Sequence, residues 1–376
     1  MTVIRKANRI VLFNWRDLND SRAGGAERYT DCLLSVLARS NENVIWFTSR
    51  AKGQSKQSYR NGYQIIRRGS ERTCFIHGAI WLILNKDKVD LVIDEVNTLP
   101  WLSPLIIKKK IVLLSHQLAR TIWRYEMPRS IAYIGEFLEP LYMRLYKNAK
   151  IITVSDSSAK SLRQIGLTGE LNIIENVLEC AKPISEIIKV SGRIGFIGRL
   201  TRSKRIDDII IALGIVRKSF PVAHLVIIGG GDANETKRLT LLINSLGLAD
   251  AVQLHGFLPV SIKEKLLSSF DILALASVRE GWGLVVSEAA RYYIPTVAYP
   301  VPGLVDSIID GVTGKLSAAE TPTDLAVAML TLLQNPTLRD TLARNAALFI
   351  EEYTIEHFEA KIAAFFTNYE NARPSR

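Results

Sequence analysis

The sequence predicts an α/β protein built from two doubly wound, parallel-sheet domains. Short apolar segments alternate with amphipathic helical segments almost from end to end. The apolar segments lack internal polar alternation, as strands covered by helices on both faces do. The 376 residues suffice for two domains of ordinary size. The alternation breaks once, at residues 176–191, where Pro183 stands in a stretch without periodicity.

In the first half the strand candidates are residues 10–14, 44–47, 63–67, 91–94, 111–115 and 151–155. Each is rich in Val, Ile, Leu or aromatic side chains and is followed by polar or glycine-containing residues, the pattern of a buried strand ending in a turn. In the second half the candidates are residues 194–198, 224–228, 252–255, 272–276, 296–299 and 315–317. Between the first two of these, Ile206, Ile209, Ile210 and Leu213 recur with helical spacing. Further on, Asn335-Pro336 interrupts a helical region whose periodicity resumes over 342–350. A final amphipathic helix is expected over 355–369, before the polar tail NARPSR. The expected organisation is a first domain over 1–178, a linker over 179–191, a second domain over 192–352, and a terminal helix and tail over 353–376.

Composition narrows the class. An apolar content of 48% with 23% charged residues is that of a folded globular chain, not a disordered one. No apolar run approaches the roughly 18–20 residues that cross a bilayer, and the start MTVIRKANRIVLFN has too short an apolar stretch for a secretory signal. Cys32, Cys74 and Cys180 are odd in number and far apart. They form neither a disulfide framework nor a metal knuckle, and suit a reducing cytoplasm.

The net charge of +11 is confined to the first half: residues 1–178 hold 27 basic and 16 acidic residues, whereas the remainder holds 21 of each. The basic residues concentrate at Lys52, Lys56, Arg60, Arg67, Arg68 and Arg72, at Lys108-Lys109-Lys110, and at Arg120, Arg124 and Arg129. Ile122, Trp123, Tyr125, Met127, Ile131 and Tyr133 interleave with the last group. A basic surface with apolar side chains suits an anionic leaflet, each basic residue contributing about 1 kcal/mol. No nucleic-acid-binding motif accompanies the charge, so nucleic acid is not an expected partner.

In doubly wound sheets ligands bind beyond the carboxyl ends of the strands, so motifs placed there carry the chemistry. After the strand at 272–276 comes Arg279-Glu-Gly-Trp-Gly-Leu-Val-Val-Ser-Glu288, with Glu280 in a glycine-broken turn and Glu288 eight positions on, in a helical segment. A helix start beside glycines presents free N–H groups to a phosphate. An ionised carboxylate only accepts hydrogen bonds, which suits sugar hydroxyls. Taken alone, such a pair of glutamates is as readily a solvated loop and helix surface. After the strand at 194–198 comes Gly198-Arg199-Leu-Thr-Arg-Ser-Lys204-Arg205, four cations in seven residues at a helix start. They oppose the helix dipole at a few tenths of a kcal/mol each, a cost that a bound polyanion offsets. Gly24-Gly25 opens a helix after the first strand, and His116 follows the strand at 111–115. Gly229-Gly-Gly-Asp232 departs from the Gly-x-Gly-x-x-Gly spacing of a dinucleotide fingerprint and reads as a tight turn.

In their order along the chain, these motifs resemble the retaining glycosyltransferases of the GT-B fold that share a Glu-x7-Glu motif. The resemblance spans Gly24-Gly25, His116, TVSDSSAKSL, GRLTRSK, EGWGLVVSEAARYYIPTVAYPVPG and DGVTG. It implies two Rossmann-like domains facing a central cleft, with the last helix crossing back to the N-domain. It implies that Arg199 and Lys204, in the turn opened by Gly198, neutralise the departing diphosphate, with Gly24 and Gly25 approaching it from the other domain. Glu280 would face the donor sugar, the amides around Gly283 and Leu284 its phosphate, and Glu288 the ribose. His116 would contact the sugar or its phosphate. The chain departs from the family at Asn176-Val-Leu-Glu179, where the family often has Asn-Gly-Val-Asp, and at Pro302-Gly303, where it commonly has Gly-Gly.

The expected donor is a UDP- or GDP-sugar and the expected acceptor a lipid-linked or cell-envelope glycan. The chain would be cytoplasmic and peripheral on the membrane. No Asp-x-Asp occurs in the sequence, so no metal and no other cofactor is expected, and the cations would stabilise the leaving group. Same-face attack and double displacement through Glu280 both remain open. A nucleotide-sugar epimerase on the same plan, or a non-catalytic nucleotide-sugar-binding envelope component, are the alternatives, and a nicotinamide oxidoreductase is the least favoured.

Overall fold

The computed structural model describes residues 9–20, 22–41, 43–108, 110–177 and 189–371. Most of the expected linker, Cys180, Lys109 and the tail beyond Asn371 lie outside the described residues. The chain divides into two compact units. One comprises Met1–Arg120, Ile134–Val177 and Tyr353–Arg376; the other comprises Thr121–Tyr133 and Leu178–Glu352.

Among the described residues the first unit holds eight strands: β1 (Ile10–Phe13), β2 (Val44–Thr48), β3 (Gln57–Arg60), β4 (Tyr63–Arg67), β5 (Leu91–Glu95), β6 (Lys110–Ser115), β7 (Lys150–Thr153) and β8 (Leu171–Ile173). They lie in the order β3-β4-β2-β1-β5-β6-β7-β8, and only the β3–β4 pairing is antiparallel. The sequence reading anticipated neither β3 nor β8. Gln-Ser-Tyr-Arg of β3 is largely exposed at a sheet edge, so it has no apolar run to betray it. Its signal was the turn Asn61-Gly62, whose φ angles of 46° and 87° form a two-residue hairpin. β8 is a three-residue edge strand.

The helix Gly25–Ala38 follows β1 and packs against the terminal helix Ile355–Asn371. Tyr29 meets Phe358 edge to face at 5.1 Å. Arg39 pairs with Glu359 at 2.6 Å, and Lys361 with Glu175 at 2.5 Å. The amphipathic pattern after residue 355 thus belongs to the first unit, although it follows the second in sequence.

The second unit holds β9 (Arg193–Ile197), β10 (His224–Ile228), β11 (Val252–Leu254), β12 (Ile272–Leu275), β13 (Thr296–Ala298) and β14 (Gly314–Leu316). All are parallel, in the order β11-β10-β9-β12-β13-β14. This is the doubly wound order, with its switch point between β9 and β12. The helix Ile206–Ser219 buries Ile206, Ile209, Ile210, Leu213 and Val216 completely, each contributing about 1.5–3 kcal/mol. Its first turn carries Asp207 and Asp208, which favour the dipole and offset the cations before it. Asn335-Pro336 proves to be a start signal as well as a break. Asn335 caps the helix Pro336–Phe349, its Oδ1 accepting from Leu338 N at 3.0 Å.

Candidate functional site

The switch point of the second unit gathers four of the residues singled out from sequence. Gly198 and Arg199 leave β9, and the turn continues into a short 3-10 segment, Arg202–Lys204. The loop after β12 lies beside it, with Val278 N donating to Ser203 O at 2.9 Å. That backbone link sets Lys204 against Glu280: Lys204 Nζ contacts Glu280 Oε1, which also accepts from the buried Ser277 hydroxyl at 2.7 Å.

The four cations of the turn have separate roles. Arg202 pairs with the buried Glu235 at 2.9 Å. Arg205, at φ 47°, pairs with Asp208 and Glu320 at 2.6 and 3.0 Å and lies 4.7 Å over the Tyr299 ring. Arg199 is exposed, and its side chain has no hydrogen-bond or ion-pair partner among the described residues. Among the described residues, Arg202 and Arg205 are thus tied to carboxylates of their own unit, Lys204 to Glu280, and the Arg199 side chain to none. A carboxylate already uses one donor of this turn, since Ser203 N donates to Glu126 Oε1 at 3.0 Å.

Two glycines shape this wall by close approach. Gly303, at φ 84°, packs on the Glu280 backbone, and a Cβ there would lie 2.2 Å from the Glu280 carbonyl oxygen. Glu280 N in turn donates to Pro302 O at 2.9 Å. Gly229, at φ 139°, abuts Gly198, with a Cβ placed 1.9 Å from its carbonyl oxygen. The glycine run after β10 thus supports the Gly198–Leu200 turn from behind, and Leu200 N donates to Gly230 O at 2.9 Å.

Gly283, at φ 84°, begins the helix Leu284–Ala290, which carries Glu288. Trp282 is buried and donates to Ser287 Oγ at 3.1 Å, which fastens the turn to the helix. Glu288 pairs with Lys263 at 2.9 Å, so the two glutamates of the motif answer to different lysines. Neither Ser277 nor Lys263 was found by the sequence reading. Ser277 lies just beyond the apolar strand β12, and Lys263 lies on the helix Val260–Ser268, 25 residues before Glu288.

In the first unit Gly24, Gly25 and His116 follow β1 and β6. Gly24 N donates to Glu27 Oε2 at 2.7 Å, and Glu27 Oε1 accepts from Arg16 Nε at 3.1 Å. The chain's own carboxylate thus occupies the N–H of Gly24 and begins the helix Gly25–Ala38. His116 is 8% exposed and its Nε2 faces Glu95 Oε1 at 3.2 Å. Glu95 is fully buried at the end of β5 and also accepts from the Thr30 hydroxyl and, at 3.4 Å, from Asn97. A buried carboxylate needs donors, and an N–H on the Nε2 of His116 would supply one. Tyr29 holds the imidazole edge to face at 5.0 Å. The sequence reading passed over Glu95, because a carboxylate ending a strand has no distinctive pattern.

Two of the N-terminal cations serve the fold. Arg67 is 1% exposed and pairs with the buried Asp17, while Arg60 grips Asp31 through two bonds of 3.0 and 3.1 Å. Trp123 is also buried, not a surface anchor. Among the described residues no group of three or more His, Cys, Asp or Glu could hold a metal ion, and no helix is long and apolar enough to cross a membrane.

Comparison with known proteins fits this geometry. Residues 182–349 match the family of glycosyl transferases group 1, and residues 23–182 match glycosyltransferase family 4. The chain is 31% identical over 152 residues to an alpha-D-kanosaminyltransferase of Streptomyces kanamyceticus, covering 40% of this chain and 39% of that protein. It is 34% identical over 163 residues to a D-inositol 3-phosphate glycosyltransferase of Salinispora arenicola, covering 41% and 36%. The matched segments thus span about two fifths of the length of these curated relatives. The fold is shared with sucrose-phosphate synthase of Thermosynechococcus elongatus, at TM-score 0.80 and 18% identity, covering 98% of this chain and 100% of that one. It is also shared with HepE of Anabaena, solved with UDP and glucose, at TM-score 0.72 and 18% identity, covering 96% and 100%. The two glycosyltransferase matches together run from residue 23 to residue 349, and the fold is shared with these solved proteins over nearly the whole chain.

Proposed function

We propose that this chain is a retaining glycosyltransferase that moves a hexose from a UDP- or GDP-sugar to a lipid-linked or cell-envelope glycan. The observation that carries the reading is the cluster at the switch point of the second unit. An exposed Arg199, whose side chain has no partner among the described residues, follows β9 in the same turn as Lys204, which contacts Glu280. The names of the relatives, all sugar transferases, support the same class, and HepE solved with UDP and glucose supports a nucleotide-sugar donor.

In the proposed reaction the bond from the sugar anomeric carbon to the diphosphate oxygen breaks and the bond to the acceptor oxygen forms. The acceptor's proton passes to the departing phosphate oxygen. Arg199, and Lys204 once the diphosphate draws it from Glu280, stabilise the charge that develops there. Glu280 accepts from sugar hydroxyls and opposes the charge growing at the anomeric carbon. Glu288 accepts from the ribose, and His116 contacts the sugar or its phosphate. Gly198, Gly283 and Leu284 lend backbone groups. No metal ion is required in this scheme. The chain works in the cytoplasm, in peripheral contact with the anionic face of the membrane.

The test is a panel of UDP- and GDP-sugars, scored for donor cleavage and for transfer to lipid-linked acceptors, with and without EDTA. Transfer with retained anomeric configuration is expected from one donor, undiminished by chelation. Product formed without acceptor would favour an epimerase, and donor binding without turnover a non-catalytic component. Full activity in Glu280→Gln and Arg199→Ala would overturn the site assignment.

A further inference from the structure

The first unit carries an apolar face that no described element covers. The helix Cys74–Asn85 has two apolar stripes. One, with Cys74, Gly78 and Leu82, is buried; the other, with Ile76, Ile80, Ile83 and Leu84, is 50–76% exposed. The helix that ends at Met143 repeats this: Met143 faces the core, while Ile134, Phe137, Leu138 and Leu141 form a stripe 44–71% exposed. A helix apolar on both sides is one whose outer side is meant to be covered.

The two stripes share one face. The connections β4 to β5, β5 to β6 and β6 to β7 all run the same way across the sheet, and right-handed crossovers put them on one side of it. The segment joining β5 to β6 bridges the helices. Its Trp101 ring lies 4.6 Å from Phe75, Tyr142 Oη donates to Thr98 O at 2.5 Å, and Leu102 N donates to Tyr146 Oη at 3.2 Å. It adds Leu99 and Leu105, 50% and 66% exposed. An apolar surface this extended marks an interaction site.

We infer that this face docks shallowly on an anionic lipid leaflet. The arrangement of charge argues for lipid. No charged residue occurs in Phe75–Asn85 or in Val96–Ile107, while exposed cations stand at the ends of these elements: Arg72, Lys86, Lys88, Lys108, Arg144 and Lys147. Of the acidic residues among them, Glu71 pairs with Arg22 and Asp87 lies between two lysines. The second helix carries the half-buried Glu136 and the buried Glu139, the latter bonded to the amides of Ala119 and Arg120; the rest is an apolar centre fringed with cations, which matches acyl chains beneath phosphate headgroups. The inference rests on the proposed peripheral membrane contact and moves it away from residues 120–133, where Trp123 is buried.

The test is flotation of the full chain with vesicles of phosphatidylcholine, and of phosphatidylcholine mixed with phosphatidylglycerol. Ile80→Ser/Leu84→Ser and Phe137→Ser/Leu141→Ser change only outward-facing side chains. Wild type is expected to float with the anionic vesicles, and each variant to lose about tenfold or more in partitioning. Thermal melting checks that the variants fold. In the wild type, amide exchange over 74–85 and 134–145 is expected to slow when anionic vesicles are added, which tests the face even if a variant misfolds. No flotation of wild type would overturn membrane contact altogether. Flotation of wild type and variants alike, with no change in exchange, would overturn this face and leave membrane contact standing. A wild-type dimer in sedimentation that the variants dissociate, with no vesicle binding, would assign the face to a second copy instead. None of these outcomes requires donor or acceptor, so the transfer proposal stands or falls separately.

Discussion

Replacing Glu280 with glutamine is expected to slow transfer while tightening the grip on the bare nucleoside diphosphate. In the structure Lys204 Nζ is held by Glu280 Oε1, with the two side chains 22% and 16% exposed. A part-buried pair of this kind lies near the upper end of the range for solvent-exposed pairs, about 1 kcal/mol. A diphosphate that recruits Lys204 competes with that pair. Glutamine keeps the hydrogen bond from Ser277 and removes the competing charge, so UDP or GDP is expected to bind about fivefold tighter. Turnover is expected to fall about 100- to 1,000-fold, the range for removing one preorganised electrostatic group from a transition state. Titration calorimetry of Glu280→Gln, Lys204→Ala and the double variant closes the cycle. Once Lys204 is gone, the Glu280→Gln change is expected to leave affinity nearly unaltered, because the coupling runs through that one contact. Weaker nucleotide binding in Glu280→Gln, or an effect of equal size with and without Lys204, would refute the reasoning.

Other outcomes follow from single observations. Arg199→Ala is expected to lower kcat/KM for the donor by about 10- to 100-fold and to leave the melting temperature unchanged, because no described residue pairs with it. Glu95→Gln, which replaces the buried carboxylate facing His116 Nε2 by a neutral amide, is expected to raise KM or lower kcat in donor kinetics without unfolding the chain, as checked by thermal melting. Burial pushes the Asp94 carboxyl up to about 6, against the hydrogen bonds from Tyr146 and Ser103 that favour its ionised form. Its folded pKa thus exceeds its unfolded value, so its contribution to stability is present below about pH 4 and is lost as pH rises to about 6. Wild type is expected to lose about 1–3 kcal/mol over that window relative to Asp94→Asn, measured by urea unfolding at each pH. Equal pH dependence in both would remove Asp94 from the account.

Much of the fold was legible because parallel strands covered on both faces must be apolar throughout. All twelve strands expected from that rule are present. The two that escaped it, β3 and β8, are edge strands with exposed or half-buried side chains, for which the rule gives no signal. Turns beyond the strand ends were legible where backbone geometry demands a glycine. Gly303 is required because a side chain there would strike the Glu280 carbonyl, and Gly229 because one would strike Gly198.

By itself, the sequence determined the two apolar series, the glycine-marked turns after strands, and the charge asymmetry between the halves. These are local matters of periodicity, backbone freedom and composition, each readable within a window of about a dozen residues. Only the tertiary structure decided which charged groups meet. It separated Arg199 and Lys204 from Arg202 and Arg205, gave Glu280 and Glu288 different lysines, and set Glu95 behind His116 across 21 residues. It also removed Arg67 from the basic surface into a buried pair with Asp17. Pairing of charges depends on distance in space and on burial, and neither quantity is written in the spacing of residues along the chain.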